Sequence, residues 1–284
     1  MADKYEIRPE QSVELLKELH ILTRDGKMNQ DSRRKLKQVY HLYRFIEPLL
    51  QEVKQKQGDI QLVDIGAGKS YLGFILYDLF FKSLQGVSAI HGIENRDELV
   101  ARSRELAGRL GFGGMQFLNL DAATALETPV LPSRIDVVTA LHACNTATDD
   151  AIRFALGRNA QFIVLVPCCQ AEVAALLRQS KGAALSNPAS ELWRHPIHTR
   201  EFGSHVTNVL RCLQLEAHGY QVNVTELVGW EHSMKNELII ARRTGQQARH
   251  RGERLREILA LLGLEGALGE RFFLPTKEGS VTSD

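Results

Sequence analysis

The stretch Val63-Asp64-Ile65-Gly66-Ala67-Gly68-Lys69-Ser70 decides the fold, because it has the composition of a strand that turns tightly into a helix. Short apolar runs and helical patterns alternate along the chain from this point, as expected of βαβ units that build a parallel sheet. The apolar runs predict strands at Gln61–Ile65, Val87–Ile93, Met115–Leu120, Asp136–Leu141 and Gln161–Val166. Helical patterns lie between them, near 70–83, 97–110, 147–158 and 170–180. We therefore expect an α/β fold with a doubly wound sheet.

Three classes of ligand use a glycine-rich turn of this kind, and the spacing of the glycines separates them. A mononucleotide P-loop requires another glycine at the position of Val63, so Gly68-Lys69-Ser70 is only a partial match. A dinucleotide-binding turn requires a third glycine at the position of Tyr71. S-adenosylmethionine (SAM) has no phosphate, so two glycines suffice for close approach of the backbone. The pattern D-x-G-x-G therefore favours SAM as the cofactor.

Three acids are predicted at the carboxyl ends of successive strands, where open α/β sheets bind their ligands. Asp64 is expected to face the amino-acid end of SAM, Glu94 both ribose hydroxyls, and Asp121 the adenine amino group. The alternative is a helix-capping Asp in another doubly wound protein. The predicted cofactor-binding residues are Asp64, Gly66, Gly68, Lys69, Glu94, Asp121 and Ala122.

The segments after the fourth and fifth strands are expected to lie where the methyl group is transferred. His142 is the obvious titratable group there, and we predict that it is the catalytic base. The alternative is a histidine that is hydrogen-bonded within its own loop. Other residues of these segments and of loop 229–236 are predicted to shape the substrate pocket. They are Cys144, Asn145, Thr148, Asp149, Pro167, Cys168, Cys169, Gln170, His232, Lys235 and Asn236.

The cysteines near His142 have two further interpretations. A zinc-deaminase pattern requires Glu where Cys144 stands and a two-residue gap between cysteines that are adjacent here, so no metal is predicted. A nucleophilic role for Cys168 or Cys169 stays open. Packing of small thiols at strand ends is the structural alternative. For Thr146 and Asp149 the alternative is a capping box at a helix start.

The last two predicted strands, Gln221–Val228 and Glu237–Ala241, form the β-turn-β pair with which class I methyltransferases end. Together the motifs resemble one branch of SAM-dependent class I methyltransferases. They are Asp64-x-Gly66-x-Gly68-Lys69-x-x-Leu72, His142-x-Cys144-x-x-Ala147-Thr148-Asp149 and Pro167-Cys168-Cys169-Gln170.

The branch includes bacterial proteins of unassigned substrate, eukaryotic methyltransferase-like proteins and a tRNA ribose methyltransferase. The resemblance covers residues 32–241, although Gln170 stands where the tRNA enzyme has His. It implies a Rossmann-like seven-stranded sheet with an antiparallel last strand, SAM as cofactor, and RNA (tRNA or rRNA) as acceptor.

Helical patterns on both sides of these motifs divide the chain into three parts. We predict a helical N-terminal extension over residues 1–58, a methyltransferase domain over 59–243 and a helical C-terminal extension over 244–284. In the first part, Ser12 is expected to start one helix, and Asp31 or Ser32 to cap a second. Near the end of the domain, an irregular stretch over 181–203 is expected to precede a helix over 204–218.

Charge and composition narrow the function further. The chain carries 35 Lys and Arg against 34 Asp and Glu, a net charge of +1, which excludes a uniformly basic nucleic-acid coat. Four cysteines and the absence of a long apolar run favour a cytoplasmic protein that does not span a membrane. Basic residues nevertheless cluster locally, at Arg33, Lys37, His41 and Arg44 and in six arginines over 242–256.

These basic clusters leave three hypotheses for the function. RNA methylation, with the clusters contacting phosphates, is the first, and methylation of a protein or small molecule is the second. A non-catalytic module that binds SAM or nucleic acid is the third. For the clusters themselves, the alternative to phosphate contact is the solvated flank of a packed helix.

Overall fold

The computed structural model describes residues 7–84, 86–141, 146–167, 171–179, 188–227 and 237–275. Within these ranges there are seven strands in one sheet. They are β1 (Gln61–Ile65), β2 (Ala89–Glu94), β3 (Met115–Asn119), β4 (Val137–Leu141), β5 (Phe162–Val166), β6 (Tyr220–Glu226) and β7 (Glu237–Arg243). The order across the sheet is β3-β2-β1-β4-β5-β7-β6, with β7 antiparallel, which confirms the predicted fold.

Helices precede, connect and follow these strands. They are α1 (Val13–Glu18), α2 (Gln30–Gln57), α3 (Tyr71–Leu79), α4 (Asp97–Leu110), α5 (Ala122–Glu127), α6 (Thr146–Gly157), α7 (Glu172–Gln179), α8 (Pro196–Ala217), α9 (Arg249–Leu261) and α10 (Glu265–Leu268). Among the described residues, no helix is both long and apolar enough to cross a membrane.

Two of the sequence predictions for helix starts are wrong. The cap of α2 is Asn29, whose side chain accepts a hydrogen bond from the backbone N–H of Ser32 at 2.8 Å, so neither Asp31 nor Ser32 caps the helix. Helix α8 begins at Pro196 within the stretch expected to be irregular, because proline is favoured in the first turn of a helix. The predicted start of α1 is confirmed, since Ser12 caps it.

The register of the parallel strands brings their carboxyl ends to one edge of the sheet. Asp64 of β1 lies beside Gly92 of β2 and beside Thr139 of β4. Every residue of β1, β2 and β5 is buried, as expected of central strands whose two faces are both covered. A ligand site is therefore expected at the edge that carries the carboxyl ends of β1 to β5.

The chain divides into two compact units, each with its own hydrophobic core. The first comprises residues up to 168 together with 224–240, and its core includes Phe74 and Phe162. The second comprises 169–223 and 241–284 and is built around the buried Trp193. The predicted domain boundaries after residues 58 and 243 stay predictions, because a domain boundary implies that the part on each side folds independently.

An N-terminal segment, residues 8–22, packs against α3 within the first unit. The fully buried carboxylate of Asp78 accepts hydrogen bonds from the backbone N–H of Ser12 at 3.0 and 3.2 Å, and from Lys82 at 2.7 Å. At the other end of α3, the hydroxyl of Tyr71 donates to the carbonyl of Leu19. The segment thus contacts the helix that follows the glycine turn at both of its ends.

Within the second unit, the close approach of α7 and α8 depends on Gly203. A Cβ at this position would lie 2.6 Å from the backbone nitrogen of Ala174 and 2.8 Å from its Cβ. We expect Gly203→Ala to lower the free energy of unfolding by about 1–3 kcal/mol, because backbone and not a flexible side chain would have to move.

Urea denaturation followed by circular dichroism measures this change. Gly108→Ala in α4 is the matched control, since a Cβ there meets nothing within 4 Å. That substitution should raise the free energy of unfolding by about 0.5–1 kcal/mol through helix propensity. Equal stability of Gly203→Ala and the parent chain would contradict the packing argument.

Candidate cofactor site

The turn between β1 and α3 is built on backbone conformations that favour glycine. Gly66 and Gly68 have φ angles of 65° and 58°, and Ser70 adopts a left-handed conformation as well, with φ of 51°. The backbone N–H of Ala67 donates to the carbonyl of Ile93 at 2.9 Å, which ties the turn to the end of β2. The turn therefore presents backbone, with no side chain at either glycine, at the edge where the strands end.

Asp64 is a buried acid at the end of β1. Its side chain is only 3% exposed, and Oδ1 accepts a hydrogen bond from the hydroxyl of Thr139 at 2.7 Å. Burial raises the pKa of Asp64 to about 7, although the hydrogen bond from Thr139 lowers it. The carboxyl therefore titrates near neutral pH, and a cation placed beside it would favour the ionised form.

Glu94, at the end of β2, has the opposite character. Its carboxylate accepts the backbone N–H of Gly68 at 2.8 Å and that of Arg96 at 3.1 Å, together with two bonds from the Arg96 guanidinium. Burial raises the pKa of Glu94, but the bonds from Arg96 and Gly68 outweigh it and hold the pKa below its usual range. Glu94 is therefore an ionised acceptor beside the glycine turn at neutral pH.

Asp121 caps α5, a short helix that the sequence patterns do not predict. Its Oδ1 accepts the backbone N–H of Thr124 at 2.7 Å, and this bond lowers the pKa of the exposed carboxyl. The capping alternative is thus the contact observed in the structure. Because Ala122 is the first residue of α5, its N–H has no acceptor within the helix. A carboxylate followed by such an N–H pairs an acceptor with a donor, which matches the amino group and ring nitrogen of adenine.

Lys69 is exposed and lies just beyond the second glycine of the turn. Its side chain lines a cavity of about 390 Å³ beside α3 and α4, together with Tyr71, Phe74, Leu99 and Arg102. The structure thus places Lys69 at the side of the turn that faces the helices.

The predicted substrate pocket is described only in part. Thr148 and Asp149 are buried in the first turn of α6, and Pro167 is buried directly after β5. Thr146 is the first described residue of α6, and the residues before it lie outside the described ranges, so the capping box of Thr146 and Asp149 stays a prediction.

The other predicted pocket residues, and the predicted base, lie outside the described residues, so their roles stay predictions. They are His142, Cys144, Asn145, Cys168, Cys169, Gln170, His232, Lys235 and Asn236.

Two residues of this site were not found from the sequence. Thr139 is the only polar residue of the strand β4, and a polar residue in such an apolar strand indicates a hydrogen-bond partner for a buried acid. Arg96 follows Glu94 by two residues, but a sequence separation of two does not show that both ends of the guanidinium reach the carboxylate.

A family model described as a methyltransferase domain matches residues 34–176, half of the chain. The chain belongs to this methyltransferase family. Over these residues the chain is a methyltransferase domain, of the kind that uses SAM as its cofactor.

The methyltransferase is also similar to curated proteins described as glutathione S-transferase C-terminal domain-containing proteins. The Bos taurus protein is 25% identical over 244 residues, which cover 76% of this chain and 34% of that protein. The Mus musculus protein is 28% identical over 148 residues, which cover 51% of this chain and 20% of that protein. The chain thus spans about a third or less of the length of these relatives.

The solved structures that match this chain are more distant in sequence. A SAH-bound methyltransferase from Podospora anserina is 13% identical, with a TM-score of 0.46 and coverage of 85% of this chain and 91% of that chain. An rRNA methylase from Streptococcus thermophilus is 10% identical, with a TM-score of 0.43 and coverage of 69% and 92%.

Proposed function

We propose that this methyltransferase holds SAM at the carboxyl ends of β1, β2 and β3 and transfers its methyl group to RNA. The sulfonium of SAM supplies an activated methyl group, so the protein has to bind, orient and exclude water. The RNA part of the proposal depends mainly on one observation, a row of exposed cations on α2.

Each proposed cofactor contact follows from the character of the residue. Asp64 is a buried carboxyl that a neighbouring cation would ionise, which suits the ammonium group of SAM, and Glu94 is ionised, which suits the ribose hydroxyls. Asp121 and Ala122 offer an acceptor and a donor for adenine. The glycines of the turn let the backbone approach the ligand, and the fit with SAM is therefore good along the whole edge.

His142 is the proposed base if the acceptor is a hydroxyl group. It is the residue that directly follows β4 in the sequence, and the proposal rests on that sequence position. A hydroxyl acceptor must lose its proton on methylation, and an imidazole titrates in the right pH range to take it.

The basic stripe of α2 comprises Arg33, Lys37, His41 and Arg44. The side chains of Arg33, Lys37 and Arg44 are exposed, and no carboxylate of the described residues forms an ion pair with any of the three. Unpaired cations at helical spacing give a continuous positive edge, which suits a chain of phosphates. This property supports a polyanionic acceptor over a small molecule.

The arginines of 242–256 provide weaker support. Arg251 pairs with Glu216 at 3.2 Å and Arg254 pairs with Glu257 at 3.0 Å, so part of the charge of α9 is neutralised within the protein. Arg249 and Arg256 stay exposed. We therefore assign the main phosphate contacts to the stripe on α2.

Incubation with radiolabelled SAM and separated pools of cellular RNA, protein and metabolites tests the acceptor. We expect the label to appear in RNA. The double variant Arg33→Glu/Lys37→Glu should raise the KM for RNA about tenfold at low salt without changing SAM affinity. The dependence of log affinity for single-stranded RNA on log salt should become shallower by about 1.4, the value for two lost phosphate contacts.

The control for this prediction lies on the same helix. Lys54→Glu/Lys56→Glu makes the same change of charge at exposed positions near the end of α2, outside the basic stripe. Label confined to protein or metabolites would exclude RNA as the acceptor. Equal losses in both double variants would show that overall charge, and not the stripe, governs binding.

A further inference from the structure

Arg96 lies against both parts of the site that we assign to the ribose of SAM. Its Nε donates to Oε1 of Glu94 at 2.8 Å, and its Nη2 donates to Oε2 at 3.2 Å. The same Nη2 lies 3.8 Å from the place that a Cβ on Gly68 would occupy. The guanidinium of Arg96 thus binds the carboxylate of Glu94 and lies next to the space left by the missing side chain of Gly68.

The carboxylate of Glu94 is fully used as an acceptor. In addition to the guanidinium, the N–H of Gly68 donates to Oε2 at 2.8 Å and the N–H of Arg96 donates to Oε1 at 3.1 Å. Each oxygen therefore accepts two hydrogen bonds, and a carboxylate offers about four lone-pair sites. Two ribose hydroxyls can bind only if two of the present donors leave.

The guanidinium is the donor that can leave. The N–H of Gly68 belongs to a turn that is tied to β2 through the bond between Ala67 and Ile93, and the N–H of Arg96 is fixed at the start of α4. The Arg96 side chain, in contrast, is 58% exposed, so it can rotate into solvent and stay hydrated.

We propose that the guanidinium of Arg96 competes with the ribose diol of SAM for the carboxylate of Glu94 and thereby sets the affinity for the cofactor. The inference rests on the proposed contact between Glu94 and the ribose. Both competitors present two donors side by side to the two carboxylate oxygens, which is why they exclude one another. Arg96 is a positioning residue in this scheme, since it orients Glu94 and is exchanged for the ligand.

Calorimetric titration of the full chain with SAM tests the competition. Arg96→Ala should bind SAM about three- to fivefold more tightly than the parent, because a partly exposed ion pair no longer has to be broken. Arg96→Lys, which keeps the charge but not the paired donors, should fall between the two. Arg104→Ala is the control, as it removes an exposed arginine of the same helix that donates to the carbonyl of Phe117 and not to Glu94, and its SAM affinity should not change.

A double-mutant cycle separates competition from a general effect on the fold. In a Glu94→Gln background, Arg96→Ala should give no gain in SAM affinity, because the ionised partner is gone. Unchanged or weaker binding by the single variant Arg96→Ala would overturn the proposal, as would a gain that persists in the Gln background. If Glu94→Gln alone binds SAM like the parent, the proposed ribose contact itself fails, which is a different result.

Discussion

Asp64→Asn is expected to weaken SAM binding at pH 8 by a hundredfold or more while the protein stays folded. The amide has the size of the carboxyl and keeps an oxygen for the hydroxyl of Thr139, so the packing around β1 is retained. What is lost is a buried negative charge opposite the ammonium group of SAM. Removing one partner of a buried ion pair costs about 3–5 kcal/mol, which corresponds to this loss of affinity.

The pH dependence of this effect has a defined sign. The pKa of Asp64 is about 7 in the folded protein, against 3.8 for an ordinary Asp. The folded state therefore holds the proton more tightly, and the contribution of this group to the free energy of unfolding falls as pH rises from 3.8 to about 7. SAM binding favours the ionised form, so the SAM affinity of the parent should rise as the pH increases through 7. The ratio of the parent's affinity to that of Asp64→Asn should rise with it, because the amide does not titrate.

Calorimetry of both proteins between pH 6 and 8 measures the difference, and titration of SAM itself cancels in the comparison. Asp136→Asn is the matched control. Asp136 is also buried, and burial also raises its pKa, but it lies at the start of β4 and at the opposite edge of the sheet. Parent-like SAM affinity in Asp64→Asn would exclude Asp64 as the partner of the ammonium group.

Glu94→Gln is expected to reduce SAM affinity about thirtyfold, equivalent to about 2 kcal/mol for hydrogen bonds to a charged acceptor. The amide can accept at one oxygen only, and its NH₂ group would face an N–H of Gly68 or Arg96. In contrast with Asp64, no pH dependence is expected near neutrality, because the pKa of Glu94 is held below its usual range.

Glu98→Gln provides the comparison for this variant. It makes the same change of charge at an exposed position in the first turn of α4. Equal SAM affinities for Glu94→Gln and Glu98→Gln would show that the effect comes from local charge and not from contact with the ribose.

Much of the fold follows from the sequence because apolar runs and helical periodicity are local properties. The predicted strand Gln61–Ile65 and the predicted helix 97–110 coincide with β1 and α4. Helix starts are harder to predict when several capping residues are adjacent, as at Asn29 and Asp31. The start of α8 does not follow from the sequence pattern, because a stretch rich in His, Arg and Pro resembles a loop even though Pro196 occupies the first turn of the helix.

The site divides in the same way. The positions of Asp64 and Glu94 follow from the rule that ligands bind at the carboxyl ends of strands. Their ionisation does not follow from the sequence, because it depends on burial and on hydrogen-bond partners. One such partner, Thr139, lies 75 residues from Asp64 in the sequence. The short helix after Asp121 was missed because six residues are too few for a periodic pattern.

The position of β7 in the sheet has a consequence for biosynthesis. This strand follows β6 in the sequence but lies between β5 and β6 in the sheet. On the ribosome, β5 therefore keeps an open edge, and β6 has no neighbour, until Glu237–Arg243 emerges. Open strand edges pair readily with other chains. Until that segment has been synthesised, these open edges expose the nascent protein to aggregation.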